Sequence, residues 1–112
     1  MTESKIYIGQ QVKVIIDRPL GSWHPDHDIF YTVNYGYVPG TKSGDGEELD
    51  VYLLGIDIPL DEADGICIAV LHRHGQNDDK LIVVPEGQTF TDAEILAAVH
   101  FVEHEFEVEL FR

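Results

Sequence analysis

Four carboxylates fall within six positions in Asp45-Gly46-Glu47-Glu48-Leu49-Asp50, and a β-type stretch, Val51-Tyr52-Leu53-Leu54, follows at once. If that stretch is a strand, alternation places Asp50 and Tyr52 on one face. Gly46 lets the acidic turn ahead of it fold tightly. Asp45, Glu47 and Asp50 can then converge on one point. Carboxylates gathered in this way repel one another unless a cation lies between them. An all-oxygen cluster suits a hard divalent ion, Mg²⁺ above all, with Mn²⁺ and Co²⁺ as further candidates. The competing reading is a solvated acidic turn in an acidic protein, and the flanking residues must decide.

A second acidic pair, Asp78-Asp79, stands beside Lys80 just before another β-type run. If neighbouring strands bring the two acidic stretches together, their carboxylates and one lysine share a mouth. Lys80 can hold a phosphate oxygen that metal ions do not, and Arg18 can do the same from the end of an earlier strand. Tyr31 and Tyr35 can present hydroxyls to the same place. Divalent metals with scattered cations around a polyphosphate is the arrangement that phosphoryl-transfer chemistry uses. Each residue also has a plainer reading. Lys80 can be a lysine at a strand entrance, Arg18 a partner for Asp17, and the tyrosines half-buried strand residues.

The histidines divide into three groups. His24 lies in the loop after Arg18 and is the one best placed to touch a ligand, as a protonated imidazole or through a structural hydrogen bond. His100 and His104 share a helix side at i, i+4, and His72 and His74 are two apart at a strand end. With carboxylates these could build a zinc site, but no His-Glu-x-x-His motif accompanies them.

These positions need a scaffold of short strands. Val12–Arg18 is rich in β-branched residues and stops at Pro19. The segment from Arg18 to Pro25 carries two prolines and a glycine and reads as a shaped loop. Ile29 to Val38 is aromatic and β-prone, which puts Tyr31, Tyr35 and Tyr37 on one strand face, and Pro39-Gly40 ends it. Val51–Ile56 follows the acidic turn. Residues 59–65 read as an acidic connection, Ile66–Leu71 as a strand buried on both faces, and Lys80–Val84 as the fifth strand. Thr91 with Glu94 is a capping-box signature, and Ile95, Val99, Val102 and Phe106 form a helical stripe with His100, Glu103 and Glu107 off it. The tail Glu105–Phe111 alternates in the β manner. Strands joined without intervening helices predict a mainly β fold, a five-stranded OB-type antiparallel barrel with a C-terminal helix packed against it.

The bulk numbers set the outer limits. At 112 residues the chain suffices for one domain, 1–112. A formal net charge of −14 argues against nucleic acid or an anionic membrane as partner, though not against a small phosphate held by metal ions. The single cysteine, Cys67, sits in an apolar run and fits a reducing compartment. No signal peptide or transmembrane stretch is evident, so the expected location is the cytoplasm. The apolar helix stripe and alternating tail favour a homo-oligomer.

Asn34-Tyr35-Gly36-Tyr37-Val38-Pro39-Gly40-Thr41, then Asp45-Gly46-Glu47-Glu48-Leu49-Asp50-Val51, then Asp78-x-Lys80-Leu81-Ile82 resembles the soluble family I inorganic pyrophosphatases in order and spacing. The chain looks most like a compact branch carrying Arg-Pro-Leu-Gly-Ser-x-His-Pro. The resemblance implies an OB-type barrel and Mg²⁺-dependent hydrolysis of pyrophosphate to two phosphates. By position it makes Asp45, Asp50 and Asp78 metal ligands, places Asp17 near the metals, and assigns Glu47 to orient and deprotonate the attacking water. Lys80 and Tyr35 would bind phosphate, with Tyr31 close by. Three features depart from the family pattern. Arg73 stands where larger members have a second aspartate, Glu105 and Phe106 replace a helix Tyr-Lys pair, and a hairpin supplying an arginine is missing. Arg18, Arg73 and His24 are the candidates to compensate. Hydrolysis of another small diphosphate, or a non-catalytic metal- or partner-binding domain, are the alternatives.

Overall fold

Val12, Val14 and Ile16 alternate with Gln11, Lys13 and Ile15, and the strand they form, β1 (Gln11–Arg18), buries the first set and turns the second outward. The chain is described by a computed structural model at residues 3–42, 46–76 and 78–112. After a single 3-10 turn at Glu3–Tyr7 come β1, β2 (Asn34–Val38), β3 (Leu49–Leu53), β4 (Glu62–Arg73), β5 (Asp79–Val84), helix α1 (Asp92–Glu103) and a short β6 (Val108–Phe111).

The first five strands close on themselves in the order β1-β2-β3-β5-β4, with β4 pairing back onto β1. The expected five-stranded barrel with a C-terminal helix is therefore present. It is mixed rather than wholly antiparallel, because β3 and β5 run parallel with Asp50 opposite Lys80. The reason is the length of β4. Its twelve residues reach from β1 at one end to β5 and β6 at the other, so it lies outside the β3–β5 pair instead of between them. The acidic connection expected at 59–65 is in part the start of this strand.

Two apolar layers result. Val14, Val51, Leu53, Val70, Leu81 and Val83 fill the barrel, while Tyr52, Leu71, Ile82, Ile95 and Val99 pack between its outer face and α1. Strand β5 is covered on both sides and all six of its residues are buried. A bulge between Cys67 and Ala69 turns the first into the barrel and the second toward the helix. Gly36 is where β1 and β2 come closest. A Cβ there would lie 1.8 Å from the Ile15 carbonyl oxygen, so no other residue fits without moving backbone.

The aromatic stretch behaves differently from its expected strand. Only Asn34–Val38 pairs in β2, and Tyr31 lies before it in a loop tied by a Trp23–Phe30 bridge and by mutual backbone bonds between Gly21, Ser22 and Tyr31. Fully buried Asn34 explains the loop's shape. Its Oδ1 accepts the Leu20 amide at 3.0 Å and its Nδ2 donates to the Ile58 carbonyl at 2.9 Å. Tyr35 and Tyr37 do share one face.

Helix α1 begins where the capping box predicts, with Thr91 Oγ1 accepting the Glu94 amide at 3.1 Å and Glu94 Oε1 accepting the Thr91 amide at 2.9 Å. It ends at Glu103, short of Phe106, and Glu103 rather than Val102 is its third buried residue. The alternating tail becomes β6 on the edge of β4.

Candidate active site

Register alone gathers the central residues. On the barrel face beneath the end of α1, Tyr35 lies opposite Tyr52 and Tyr37 opposite Asp50, and Asp50 lies opposite Lys80. A bulge in β1 between Ile16 and Arg18 sets Arg18 opposite Tyr35, on the same face. The sheet thus delivers two cations, a carboxylate and a tyrosine to one place from four strands.

Lys80 is the hub. Its side chain is 4% exposed, and its Nζ donates to Tyr35 Oη at 3.0 Å, to Asp50 Oδ2 at 3.0 Å and to Asp78 Oδ2 at 3.3 Å. Every ammonium proton is engaged, which a lysine at a plain strand entrance does not achieve. Burial first, then the Asp50 charge, pushes the Tyr35 hydroxyl far above its ordinary pKa. It therefore stays a neutral donor and acceptor.

Around this centre, Tyr31 is 4% exposed and its ring lies 5.5 Å from that of Tyr35. Burial raises the pKa of the Tyr31 hydroxyl, and the nearby Arg18 charge opposes the rise. Arg18 also reaches the Asp17 carboxylate at 3.7 Å, and its buried Nε has no hydrogen-bond partner among the described residues. Asp17 has a raised pKa, chiefly from burial, with Arg18 opposing and Asp50 reinforcing the rise.

His24 stands farther out. Its Nδ1 accepts the Asp26 amide at 3.0 Å, its ring stacks 6.5 Å from Tyr31, and desolvation followed by Arg18 and His27 lowers its pKa. Glu47 is exposed on the β2–β3 connection. Glu48 of the same loop accepts the Gly40 amide at 3.2 Å, and Thr41 Oγ1 accepts that of Leu49 at 3.0 Å, so the loop is tied to the end of β2. Asp45 lies outside the described residues.

Arg73 is turned toward the helix. Its Nε and Nη2 donate to Glu103 Oε1 and Oε2 at 2.8 and 2.7 Å, its guanidinium sits 4.0 Å from the Phe106 ring centre, and its Nη1 is 4.0 Å from Asp78 Oδ2. Tyr52 Oη donates to Glu103 Oε2 at 2.5 Å. Burial would raise the Glu103 pKa, but the bonds from Arg73 and Tyr52 outweigh it and the carboxyl is held below its usual value. Glu103, expected off the buried stripe, is one of the helix's buried residues. Its spacing of four from Val99 and eight from Ile95 was the available signal.

The histidine pairs take local partners. His72 Nδ1 lies 2.7 Å from Asp79 Oδ1, His74 lies between Glu107 and Glu109, and His104 Nδ1 lies 2.9 Å from the His100 carbonyl. No group of three or more His, Cys, Asp or Glu side chains is placed to hold a metal among the described residues. Asp50 and Asp78 do already converge on one cation, with side chains 34% and 25% exposed. An oxygen-only, part-solvated pair of this kind fits a hard divalent ion that keeps several waters.

The family profile described as inorganic pyrophosphatase matches residues 5–108. The chain is 35% identical over 96 residues to soluble inorganic pyrophosphatase 2 of Chlamydomonas reinhardtii, covering 75% of this chain and 50% of that protein. It is 33% identical over 91 residues to the inorganic pyrophosphatase of Xylella fastidiosa, covering 73% and 51%. The chain thus spans about half the length of these two relatives. The fold matches the inorganic pyrophosphatase crystal structure from Ehrlichia chaffeensis with a TM-score of 0.69 at 21% identity, over 91% of this chain and 85% of that one. It also matches the one from Neisseria gonorrhoeae with a TM-score of 0.66 at 24% identity, over 86% and 73%. The oxygen-lined, cation-centred face described above thus sits on a shared barrel, and the chain belongs to the inorganic pyrophosphatase family.

Proposed function

We propose that residues 1–112 form a single domain that hydrolyses inorganic pyrophosphate to two phosphates with Mg²⁺ as cofactor, Mn²⁺ or Co²⁺ being able to replace it. The observation that carries this reading is the Lys80 ammonium bonded at once to Tyr35, Asp50 and Asp78. A divalent ion is the family's cofactor. When bound it neutralises phosphate charge and lowers the pKa of water.

The chain's residues divide the remaining work. Asp50 and Asp78, with Asp45 and with Asp17 nearby, hold the metal. Lys80 gives up part of its carboxylate contacts to a phosphate oxygen, and the Tyr35 hydroxyl follows it. Arg18 brings to the same face a buried Nε–H donor without a partner among the described residues, which a phosphate oxygen would satisfy. Tyr31, His24 and Arg73 border the substrate. Glu47 accepts a proton from the water that attacks phosphorus as the bridging P–O bond breaks. Its carboxylate is one methylene longer than the aspartate it replaces, and its loop is tied to the end of β2 through Glu48 and Thr41.

No helix among the described residues is long and apolar enough to cross a membrane. We place the protein in the cytoplasm as a homo-oligomer, free of nucleic acid and membrane, with pyrophosphate and phosphate as its ligands. The test is phosphate release from pyrophosphate and from a panel of nucleoside and organic diphosphates, for wild type, Asp50→Asn and Glu47→Gln. Turnover confined to pyrophosphate and lost in both variants is the expected result. Preference for another diphosphate would reassign the substrate, and no wild-type turnover with Mg²⁺, Mn²⁺ or Co²⁺ would refute the enzymatic reading.

A further inference from the structure

Arg73 is held by two residues, one of which is itself fixed by a third. Glu103 grips it with a two-pronged bond, Phe106 lies against its plane, and Tyr52 fixes the Glu103 oxygen that receives Nη2. Glu103 is 4% exposed and Arg73's side chain is 11% exposed, so neither charge can be left to solvent. The one guanidinium nitrogen not used by Glu103 is Nη1, and it faces Asp78 at 4.0 Å. That distance is too long for a hydrogen bond. Asp78 therefore feels the positive charge but, among the described residues, keeps its lone pairs open apart from the 3.3 Å bond to Lys80.

The alternative position of Arg73 is easy to name. Without Glu103, the nearest acid the structure offers it is Asp78. A guanidinium bonded directly to Asp78 would take the oxygens a metal needs. It would also withdraw its own free edge from any incoming anion. Glu103, at the last turn of α1, stands on the far side and draws the guanidinium away.

We propose that Glu103 is a positioning residue of the site: by gripping Arg73 it keeps the guanidinium off Asp78 and presents Nη1 as an anion-binding edge beside it. The helix end thus sets how Asp78 divides between a protein cation and a metal ion. This rests on the reading of Asp78 as a metal ligand at a phosphate site, but not on turnover.

The test measures binding, not activity. Mn²⁺ affinity is read by titration calorimetry, and inorganic phosphate affinity in saturating Mn²⁺, for wild type, Glu103→Gln, Arg73→Met and the double variant. Glu103→Gln is expected to weaken Mn²⁺ about tenfold, the worth of one charge-assisted hydrogen bond gained by Asp78 from Arg73. It is also expected to weaken phosphate by a similar factor. Arg73→Met is expected to weaken phosphate while leaving Mn²⁺ binding as tight as wild type or tighter. In the double variant Mn²⁺ binding should return to the wild-type level or better, because the competitor for Asp78 has gone. That rescue is a coupling between the two positions that a double-mutant cycle isolates.

Tyr52→Phe removes only one bond from Glu103 and should shift both affinities in the direction of Glu103→Gln, by two- to threefold. It supplies the same comparison if thermal melting shows Glu103→Gln unfolded. Mn²⁺ and phosphate affinities unchanged in Glu103→Gln and Tyr52→Phe, with only the melting temperature lowered, would show a purely structural pair and overturn the proposal. Equal losses with and without Arg73 would overturn it too. Wild type that binds both ions but hydrolyses nothing would refute the pyrophosphatase reading and leave this one standing. Wild type that binds neither would end both.

Discussion

Replacing Lys80 by methionine separates the two roles its ammonium plays. The side chain keeps its stem but loses three bonds, to Tyr35, Asp50 and Asp78. Removing one member of a buried charge pair costs about 3–5 kcal/mol. Asp50 and Asp78 are a third and a quarter exposed and can regain water, so the lower end applies, about 3 kcal/mol in the metal-free protein. With a urea slope of about 1.5 kcal/mol/M for a chain of this size, the midpoint should fall by about 2 M at unchanged slope, read by circular dichroism in EDTA. Metal binding should change in the opposite sense. The two carboxylates lose the cation they share, so a divalent ion should bind more tightly and restore part of the lost stability. Phosphate should bind less tightly, because the donor facing it has gone. A midpoint shift below about 0.5 M, or a parallel loss of metal and phosphate affinity, would refute the assignment of Lys80 as a phosphate donor held in reserve by the metal ligands.

Two further perturbations test the scaffold. Gly36→Ala places a Cβ 1.8 Å from the Ile15 carbonyl oxygen, and the expected outcome is loss of soluble folded protein or destabilisation of about 3 kcal/mol or more in a urea titration. Burial raises the Cys67 thiol from 9.0 to about 11, so at pH 8 its thiolate fraction falls about a hundredfold, and alkylation by iodoacetamide should be at least that much slower in the native protein than in urea. The sign follows from the raised value, which keeps the thiol protonated throughout the neutral range; rapid native alkylation at pH 8 would contradict the burial.

How far the fold was legible depended on whether a residue's role was local. The capping box at Thr91 and Glu94 marks the helix start through its own two side chains, and it is found where the sequence places it. The strand pattern of Val12–Ile16 was equally clear, because its burial follows from alternation; Ile66–Leu71 is a strand as its apolar run predicts, but Ile66 and Ile68 are half-buried and only Ala69–Leu71 is covered on both faces. The parallel β3–β5 pair was not legible, since it depends on where the long β4 lies rather than on either strand's composition. Tyr31 left its expected strand because buried Asn34 anchors Leu20 and Ile58, a contact across 14 and 24 positions.

The candidate site divides the same way. Tyr35, Asp50, Asp78 and Lys80 were readable as a group, and the structure joins them through one ammonium. The Arg73–Glu103–Tyr52 cluster was not, because an acid on a helix normally faces solvent and only its partner on β4 gives it a reason to be buried. The bulge that turns Arg18 toward Tyr35 likewise leaves no mark in the sequence.

The most direct measurement is a ³¹P spectrum of pyrophosphate incubated with the purified 112-residue chain and Mg²⁺. The pyrophosphate signal should be replaced by inorganic phosphate alone, EDTA should stop the conversion, and Asp50→Asn should abolish it. An unchanged pyrophosphate signal with the folded wild-type chain, in the presence of Mg²⁺, Mn²⁺ and Co²⁺ in turn, would contradict it.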